Sequence, residues 1–250
     1  MPPSAAPAPA RENSGIQQRQ VVRFCNDVAI HPHDLFRSVV EERLQLWRRP
    51  EWLDVGCGWH FDWRWEPERE KAMLSKANVV GLDPDWQAVS RHRTITRRTV
   101  GTVEALPFAS ESFNLVTANV VVEHLEHPAL AFAEIFRVLK SGGCFMFRTP
   151  SARSYFVRIA RVLPQSVKIF LASKVIENRD PVDIYPAHYR ANTPDEIAQI
   201  CKVVGFREMD VTVTKARGIL AKVPALASME RAGAAWLGMT EGNLIVELRK

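Results

Sequence analysis

The feature that most constrains the fold of this chain is a regular alternation of short apolar runs and amphipathic stretches between residues 51 and 149. Each apolar run has the length of a buried strand, and the stretches between them are typical of helices. The predicted strands are 51–56, 78–83, 98–103, 114–122 and 144–149. Because parallel strands need crossover connections that are usually helical, this alternation predicts an α/β fold with a doubly wound, mainly parallel sheet.

The helices of this region are predicted from apolar spacing and from their end signals. They are 34–48, a helix that begins at Pro67, 84–92 and 127–143. Asp34 is the predicted N-cap of the first helix, because a side-chain carboxylate can accept hydrogen bonds from the free N–H groups there. The Gly142–Gly143 pair is predicted to end the last one.

The C-terminal part adds an insertion and completes the sheet. Basic and apolar residues alternate at helical spacing over 154–177, and a further helix is predicted over 192–206. The last two strands are predicted at 207–214 and 243–250, with helical sequence between them and the final strand inserted antiparallel. The prediction is therefore a seven-stranded sheet with a helical insertion after strand five.

Composition narrows the class of protein. The 250 residues are 46% hydrophobic, as in an ordinary globular core, and the longest apolar runs are too short for a membrane span. Four cysteines are widely separated without CxxC pairs, which disfavours a disulfide framework or a zinc site and favours the cytoplasm. The formal charge of +5 is compatible with nucleic acid, an anionic membrane or an anionic cofactor, so charge alone does not choose among them.

Polar residues and glycines follow four of the predicted strands. Gly56 and Gly58 follow the first strand, Asp83 ends the second, 102–104 follow the third, and 119–124 lie at the end of the fourth. The carboxyl ends of parallel strands meet at one edge of a sheet, and open α/β sheets bind ligands there, where the strand order reverses. We therefore expect the binding site at this edge.

The G-x-G turn and the acid at the next strand end together favour an adenosine ligand. Glycines let a ligand approach the backbone closely, and Asp83 can accept hydrogen bonds from a ribose diol. A dinucleotide is disfavoured, because His60 stands where the third glycine of G-x-G-x-x-G is expected and the next helix begins only near Pro67. No phosphate-binding GxxxxGK[ST] motif occurs in the sequence.

At this point the chain resembles a known family. The segments "LDVGCG", "VVGLDPD" and "GTVEALPFASESFNLVTANVVVEHLEHPALAFAEIFRVLKSGGCFMFRTP" are similar to the class I S-adenosylmethionine-dependent methyltransferases. Within this family the resemblance is to the small-molecule group that includes quinone-biosynthesis enzymes, and it runs continuously over residues 50–150. It implies a Rossmann-like sheet and S-adenosylmethionine as cofactor.

The resemblance also implies which residues of this chain hold the cofactor. Asp54, Gly56 and Gly58 are expected to form the loop under the methionine part, and Asp83 to hold the ribose hydroxyls. The remaining implied contacts are Pro84 beside the adenine, Thr102 and Val103 at the adenine ring, and Asn119 near the sulfonium and the methionine backbone.

Three features depart from the family pattern. His60 replaces the third glycine, Thr102 replaces the usual acid near the adenine amino group, and 29 positions separate Asp54 from Asp83. The extra length lies in "WHFDWRWEPERE" (59–70), which contains the aromatic loop 59–65. Its tryptophans are interpreted either as an aromatic wall that attracts the sulfonium or as side chains that pack the loop onto the sheet, and the second interpretation is favoured.

Candidate groups for the acceptor side come from two segments. Glu123, His124 and His127 lie beyond strand four, and "DIYPAHYRANT" (183–193) contributes His188, Tyr189 and Arg190. His124, His188 and Tyr189 are the catalytic candidates, as groups that position or deprotonate a nucleophile, and Arg190 is a candidate partner for an anionic group. No metal is predicted, because Val120 stands where metal-dependent quinone O-methyltransferases supply a further Glu.

The domain prediction is a disordered tail over 1–20 and one methyltransferase domain over 21–250, with its cofactor-binding half at 50–150. The insertion at about 151–192 is expected to cover the substrate, although a dimer contact or a membrane-surface helix remains open. The expected partner is a small-molecule or lipid-linked acceptor, and a nucleic-acid methyltransferase, a non-catalytic cofactor-binding scaffold and a nicotinamide oxidoreductase are the alternatives. A nucleic-acid methyltransferase is disfavoured because strand four ends in "ANVV" and not in the Asn/Asp-Pro-Pro-aromatic run of the methyltransferases that act on base amino groups.

Overall fold

In the computed structural model, the described residues are 18–27, 30–60, 67–162, 185–216 and 224–250, and they form one eight-stranded sheet with helices on both faces. The strands are β1 Arg19–Cys25, β2 Glu51–Val55, β3 Asn78–Asp83, β4 Arg97–Val100, β5 Phe113–Asn119, β6 Leu139–Pro150, β7 Glu208–Lys215 and β8 Glu241–Arg249. The α/β prediction is therefore confirmed.

The strand order places a switch point at the centre of the sheet. The order is β1-β7-β8-β6-β5-β2-β3-β4, so the chain builds outward from β2 in one direction through β3 and β4 and then crosses to β5 and β6. All neighbouring pairs are parallel except those that involve β8, which runs antiparallel to both β6 and β7. The predicted antiparallel last strand is confirmed. The carboxyl ends of β2, β3 and β5 meet at the switch point.

Seven helices connect the strands among the described residues. They are α1 Pro32–Leu44, α2 Pro67–Leu74, α3 Trp86–Arg91, α4 Pro128–Val138, α5 Tyr155–Val162, α6 Pro194–Val204 and α7 Pro224–Trp236. A short 3-10 turn, Val122–His124, follows β5. The start of α6 is a capping box, in which Thr193 accepts from the Glu196 N–H and the Glu196 side chain accepts from the Thr193 N–H.

Alternating side chains of the strands form two apolar layers. On one face, Trp52, Leu115 and Met146 pack against Phe36 and Val40 of α1. On the other face, side chains of β5 and β6 pack with those of α4 and α6, among them Val116, Phe145, Phe147, Phe132 and Ile197. This alternation follows from the two-residue period of a strand, and both faces of the central strands are buried.

The predicted count of seven strands is wrong by one, because β1 was not predicted. Arg19 and Gln20 belong to this strand, although the tail was predicted to extend to residue 20. Residues 1–17, the rest of that tail, lie outside the described residues. β1 is an edge strand that pairs with β7 and is mostly exposed, so it lacks the apolar pattern by which a buried strand is recognised.

Two predicted helix boundaries are also corrected. α1 begins at Pro32 with His31 as its N-cap, whose Nδ1 accepts from the His33 N–H at 3.3 Å, so Asp34 lies in the first turn instead of at the cap. The helix predicted over 127–143 ends at Val138, because β6 already begins at Leu139. The glycines at 142 and 143 therefore lie within the strand segment and do not cap the helix.

The insertion predicted over 151–192 is only partly described. Its first part contains α5 and its last part leads into α6, whereas residues 163–184 lie outside the described residues. Among the described helices, none combines the length and the apolar character that crossing a membrane requires.

Candidate functional site

The turn after β2 is a left-handed glycine turn fastened to the end of β3. Gly56 and Gly58 have φ angles of +68° and +59°. The N–H groups of Gly56 and Cys57 both donate to the carbonyl oxygen of Leu82, at 2.7 and 3.1 Å. A Cβ atom added at Gly56 would lie 2.3 Å from Val121 Cγ2, whereas one added at Gly58 would meet no atom within 4 Å. The turn thus packs tightly at Gly56 and leaves open space at Gly58.

The Asp83 carboxylate, at the end of β3, joins the glycine turn to the next loop. Its Oδ2 accepts from the Gly58 N–H and its Oδ1 accepts from the Asp85 N–H, both at 2.9 Å. Asp83 is 8% exposed. Both carboxylate oxygens thus hold backbone N–H groups, one in the glycine turn and one in the loop after β3.

Asp54 lies in β2, directly before the glycine turn, and is almost fully buried. Thr117 Oγ1 of β5 donates to Asp54 Oδ1 at 2.6 Å, and Trp52 Nε1 donates to the same hydroxyl at 2.7 Å. Burial raises the pKa of Asp54 to about 7, because the carboxylate loses its hydration, and the nearby Asp83 and Glu70 charges act in the same direction. The hydrogen bond from Thr117 opposes this rise.

Asn119 ends β5, and its side-chain amide is oriented by the buried Arg148 of β6. Arg148 Nε donates to Asn119 Oδ1 at 2.8 Å, and the same guanidinium donates to Asn243 Oδ1 at 2.9 Å. Its Nη2 lies 3.0 Å from His33 Nε2, at the start of α1. With Oδ1 engaged, the Asn119 NH₂ group has no hydrogen-bond partner among the described residues, which leaves two donors at the strand end.

The residue after Asn119 has a strained backbone. Val120 has a φ angle of +62°, a region that β-branched residues rarely occupy, and its N–H donates to the Arg148 carbonyl oxygen at 2.8 Å. The next residue, Val121, is the one that packs against Gly56. The conformation thus brings the end of β5 against the glycine turn. Such strain persists where the surrounding structure fixes it, and it clusters at functional sites.

The residues expected near an adenine ring lie in the loops after β3 and β4. Pro84 and Thr102 are exposed, and Val103 is buried. The Gly101 N–H donates to the Asp83 carbonyl oxygen at 3.1 Å, which fastens the loop after β4 to the end of β3. No described residue accepts a hydrogen bond from the Val103 N–H. The loops therefore come together, although the sequence alone could not show how they are joined.

In the 3-10 turn after β5, Glu123 belongs to a buried polar network. Thr149 Oγ1 donates to Glu123 Oε2 at 2.8 Å, and Asn192 Nδ2 donates to Thr149 Oγ1 at 2.7 Å. The backbone N–H groups of His188 and Tyr189 donate to the Glu123 carbonyl oxygen at 2.7 and 3.0 Å. Burial raises the pKa of Glu123. This residue joins the 3-10 turn to β6, α6 and the 185–190 segment, so its carboxyl group is engaged in the network.

The catalytic candidates lie along the contact between the 3-10 turn and the 185–190 segment. His124 Nδ1 lies 2.8 Å from the Pro186 carbonyl oxygen, and the His124 ring meets the Tyr185 ring edge-to-face. A carbonyl oxygen only accepts, so Nδ1 carries the proton and, in the neutral ring, Nε2 has the free lone pair. The His188 side chain is exposed, and Tyr189 has a φ angle of +52°.

The arginines of the acceptor segment and of the basic segment 91–98 are engaged within the fold. Arg190 Nη1 donates to the Glu126 carbonyl oxygen at 2.6 Å, and Arg161 lies over the Tyr189 ring. Arg98 donates to the carbonyl oxygens of His92, Ile95 and Ser90. These guanidinium groups are therefore engaged by other groups of the chain.

Part of the aromatic loop is described. The Trp59 ring lies 4.2 Å from the His60 ring, and the guanidinium of Arg93 lies 5.1 Å from the Trp59 ring centre. Trp59 thus packs against residues of its own loop and of the segment after α3. Trp63 and Trp65 lie outside the described residues, and both interpretations of the tryptophans stay predictions.

Three groups of this site were missed by the sequence analysis: Thr117, Arg148 and the Thr149–Asn192 pair. Each of these residues lies within a predicted strand or helix, where a single polar residue gives no periodic signal. The available signal was a charged or polar residue at a central strand position, since such residues are rarely buried unless they are hydrogen-bonded.

Comparisons with known proteins concern the family and the fold. The profile of a methyltransferase domain family matches residues 53–147. The chain is 30% identical over 173 residues to a malonyl-[acyl-carrier protein] O-methyltransferase of Erwinia billingiae, which covers 67% of this chain and 63% of that relative. It is 27% identical over 175 residues to a demethylmenaquinone methyltransferase of Chlorobaculum parvum, which covers 65% and 68%. The chain thus spans slightly less than two thirds of the length of the first relative and slightly more than two thirds of the length of the second.

The fold is also similar to a solved structure. Phosphoethanolamine N-methyltransferase 2 of Haemonchus contortus, in complex with S-adenosyl-L-methionine, superimposes with a TM-score of 0.55 at 14% identity. The match covers 86% of this chain and 52% of that one. At this level of identity, the similarity concerns the fold.

Proposed function

We propose that this chain, which belongs to the class I S-adenosylmethionine-dependent methyltransferases, transfers a methyl group to an oxygen, nitrogen or carbon nucleophile of a small molecule. The observation that carries the proposal is the meeting of three features at the switch point. These are the glycine turn with open space at Gly58, the buried Asp83 carboxylate that joins this turn to the next loop, and the Asn119 amide with its donors directed away from Arg148.

S-adenosylmethionine supplies a methyl group that its sulfonium already makes electrophilic, so catalysis depends mainly on alignment and exclusion of water. Asp83 would accept hydrogen bonds from the ribose hydroxyls, and the Val103 N–H would donate to the adenine. Pro84 and Thr102 would flank the adenine in the loops after β3 and β4. Asn119 would donate to the methionine part, beside the turn formed by 54–58.

Acceptor activation is assigned first to His124. Its Nδ1–H is fixed by the Pro186 carbonyl oxygen, which leaves Nε2 to take a proton from a hydroxyl or amine. His188 and Tyr189 remain candidates for positioning the acceptor, because Glu123 holds their backbone beside His124. We therefore propose proton transfer at the 3-10 turn and acceptor contacts at the 185–190 segment, supported by the hydrogen bonds that join the two.

The acceptor is proposed to be a small molecule or a lipid-linked intermediate such as a saccharide carrier. The two relatives are named for different acceptors, so the family leaves the acceptor open. Arg93 and Arg98 contact groups within the fold, which favours a small molecule over nucleic acid. Peripheral contact with an anionic membrane is supported by the net charge of +5. A cytoplasmic location is supported by four unpaired cysteines.

Asp83→Asn is expected to lower affinity for S-adenosylhomocysteine by about tenfold to a hundredfold, because charge-assisted hydrogen bonds are worth about 1.5–3 kcal/mol. An asparagine turns one acceptor oxygen into a donor that faces a backbone N–H. Isothermal titration calorimetry measures the change, with circular dichroism to establish that the variant is folded. Asp85→Asn is the matched control, since its Oδ1 can still accept from Gln87 N–H. Equal affinities in both variants would show that the ribose lies elsewhere.

His124→Ala is expected to lower turnover by about a hundredfold, at the low end of the roughly 10²–10⁴-fold contribution of a positioned acid–base group. Affinity for S-adenosylhomocysteine is expected to stay unchanged. His188→Ala and Tyr189→Phe are made in parallel, with release of S-adenosylhomocysteine in the presence of the acceptor as the measurement. If His124→Ala keeps full turnover and His188→Ala does not, the base lies in the 185–190 segment instead.

A further inference from the structure

An apolar groove lies between α5 and α7, apart from the glycine turn and the catalytic candidates. Its volume is about 400 Å³, within the range of about 300–1,000 Å³ typical of small-molecule pockets. The lining is almost wholly apolar and includes Ile159, Ala234 and Leu237. A hydrogen bond of 2.6 Å from Tyr155 Oη to Glu230 Oε1 joins the two helices.

Both helices join the sheet at the edge that carries the cofactor residues. α5 follows the carboxyl end of β6, and α7 precedes the start of β8, which runs antiparallel and pairs Asn243 with Pro150. The Ser151 N–H donates to the Gly242 carbonyl oxygen at 2.9 Å, and Ser151 Oγ donates to Glu241 Oε2 at 2.6 Å. Adjacent strands are about 4.8 Å apart, so the end of β6 and the start of β8 lie about one and two strand spacings from β5, which ends at Asn119.

A cation lies at the rim of this groove. Arg158 of α5 is one of the lining residues and is exposed, and its guanidinium has no hydrogen-bond or ion-pair partner among the described residues. Beside the groove, large apolar side chains are exposed, among them Phe156, Trp236 and Met229 at 47%, 87% and 72%. An apolar surface of this kind indicates a binding site, and the cation at its rim is complementary to an anionic group.

We propose that the groove between α5 and α7 holds the hydrocarbon chain of an amphiphilic methyl acceptor whose anionic group pairs with Arg158. The identity of this ligand as the methyl acceptor rests on the proposed function. The apolar lining supplies affinity without fixing the chain length, because burial of hydrocarbon is favourable in proportion to area. The polar end of such a ligand would lie towards the strand ends that carry Asn119.

Gly233 gives the proposal a sharp test. This residue of α7 lines the groove, and a Cβ added there would meet no atom within 4 Å. A side chain at 233 therefore has room at its Cβ, a leucine there is expected to occupy the groove, and glycine is the poorer helix former. Ala235→Leu is the matched control, because Ala235 is exposed on the same helix and does not line the groove.

The experiment is calorimetric titration of the full chain with dodecanoate below its micelle concentration, and with dodecanol as the uncharged probe. One site is expected for dodecanoate. Gly233→Leu is expected to lower the affinity for dodecanoate by roughly tenfold or more, because the added side chain fills the groove. Ala235→Leu is expected to leave this affinity unchanged. Arg158→Gln is expected to lower the affinity for dodecanoate by about tenfold and to change the affinity for dodecanol little.

Four results would overturn the proposal: no saturable binding, equal binding by Gly233→Leu, binding to phosphatidylglycerol vesicles but not to monomeric dodecanoate, or a wild-type dimer in light scattering that Gly233→Leu dissociates. The third would make the face a membrane contact, and the fourth an interface between copies. Titration of the same samples with S-adenosylhomocysteine separates the two hypotheses. If the chain binds S-adenosylhomocysteine but not dodecanoate, the groove proposal alone is refuted. If it binds dodecanoate but not S-adenosylhomocysteine, the proposed function is refuted.

Discussion

Gly56→Ala is expected to destabilise the fold by roughly 2–5 kcal/mol. A Cβ at this position lies 2.3 Å from Val121 Cγ2, and overpacking of this kind costs about 1–3 kcal/mol. The φ angle of +68° adds about 1–2 kcal/mol for an L-residue in the left-handed region. Denaturant unfolding of the purified variant, followed by circular dichroism, measures the loss.

Gly58→Ala is the matched control for this variant. Its φ angle of +59° carries a similar backbone cost, but a Cβ there meets no atom within 4 Å. We expect a stability loss of only about 1–2 kcal/mol, together with a marked loss of affinity for S-adenosylhomocysteine, because the methyl group enters the space assigned to the cofactor. If Gly58→Ala binds S-adenosylhomocysteine as wild type does, that space belongs to something else.

Asp54→Asn is expected to remove part of the dependence of stability on pH. The pKa of Asp54 is about 7 in the folded chain against an ordinary value of 3.8. The folded state therefore binds more protons than the unfolded state between these values, so stability falls as pH rises from about 4 to about 7 and is level above that range. At about 1.4 kcal/mol per pKa unit, the free energy of unfolding falls by about 4 kcal/mol over this pH range.

The variant isolates this contribution because asparagine stays neutral throughout. Its side-chain oxygen can still accept the hydrogen bond from Thr117. We expect Asp54→Asn and wild type to be similarly stable at pH 4 and the variant to be more stable by a few kcal/mol at pH 8. Urea unfolding at both pH values measures the difference. A parallel pH dependence in the two proteins would mean that Asp54 is ionised in the folded state from low pH upward.

Much of this fold could be predicted because its central elements obey simple patterns. The strand at 78–83 and the helix that begins at Pro194 match the structure, the first because it is a buried apolar run between polar ends and the second because proline and threonine mark its start. The residues of the switch point could also be predicted, since glycines and an acid follow successive strands. Their meeting follows from parallel topology.

What could not be predicted depends on contacts distant in sequence. β1 is held by its pairing with β7, including an ion pair between Arg23 and Asp210 at 2.5 Å, and its own residues are largely exposed. The role of Arg148 depends on Asn119 and His33, which lie 29 and 115 positions away. Neither partner is marked by spacing in the sequence, so only the folded chain identifies the residue that orients the Asn119 amide.

The central claim is that the switch point of this sheet binds S-adenosylmethionine, and titration of the full chain with S-adenosylhomocysteine and, separately, with NAD tests it most directly. We predict saturable one-to-one binding of S-adenosylhomocysteine and no comparable binding of NAD, because the glycine turn lacks the third glycine and the adjoining helix N-terminus that a pyrophosphate needs. Binding of NAD in preference to S-adenosylhomocysteine, or of neither ligand, would contradict the account.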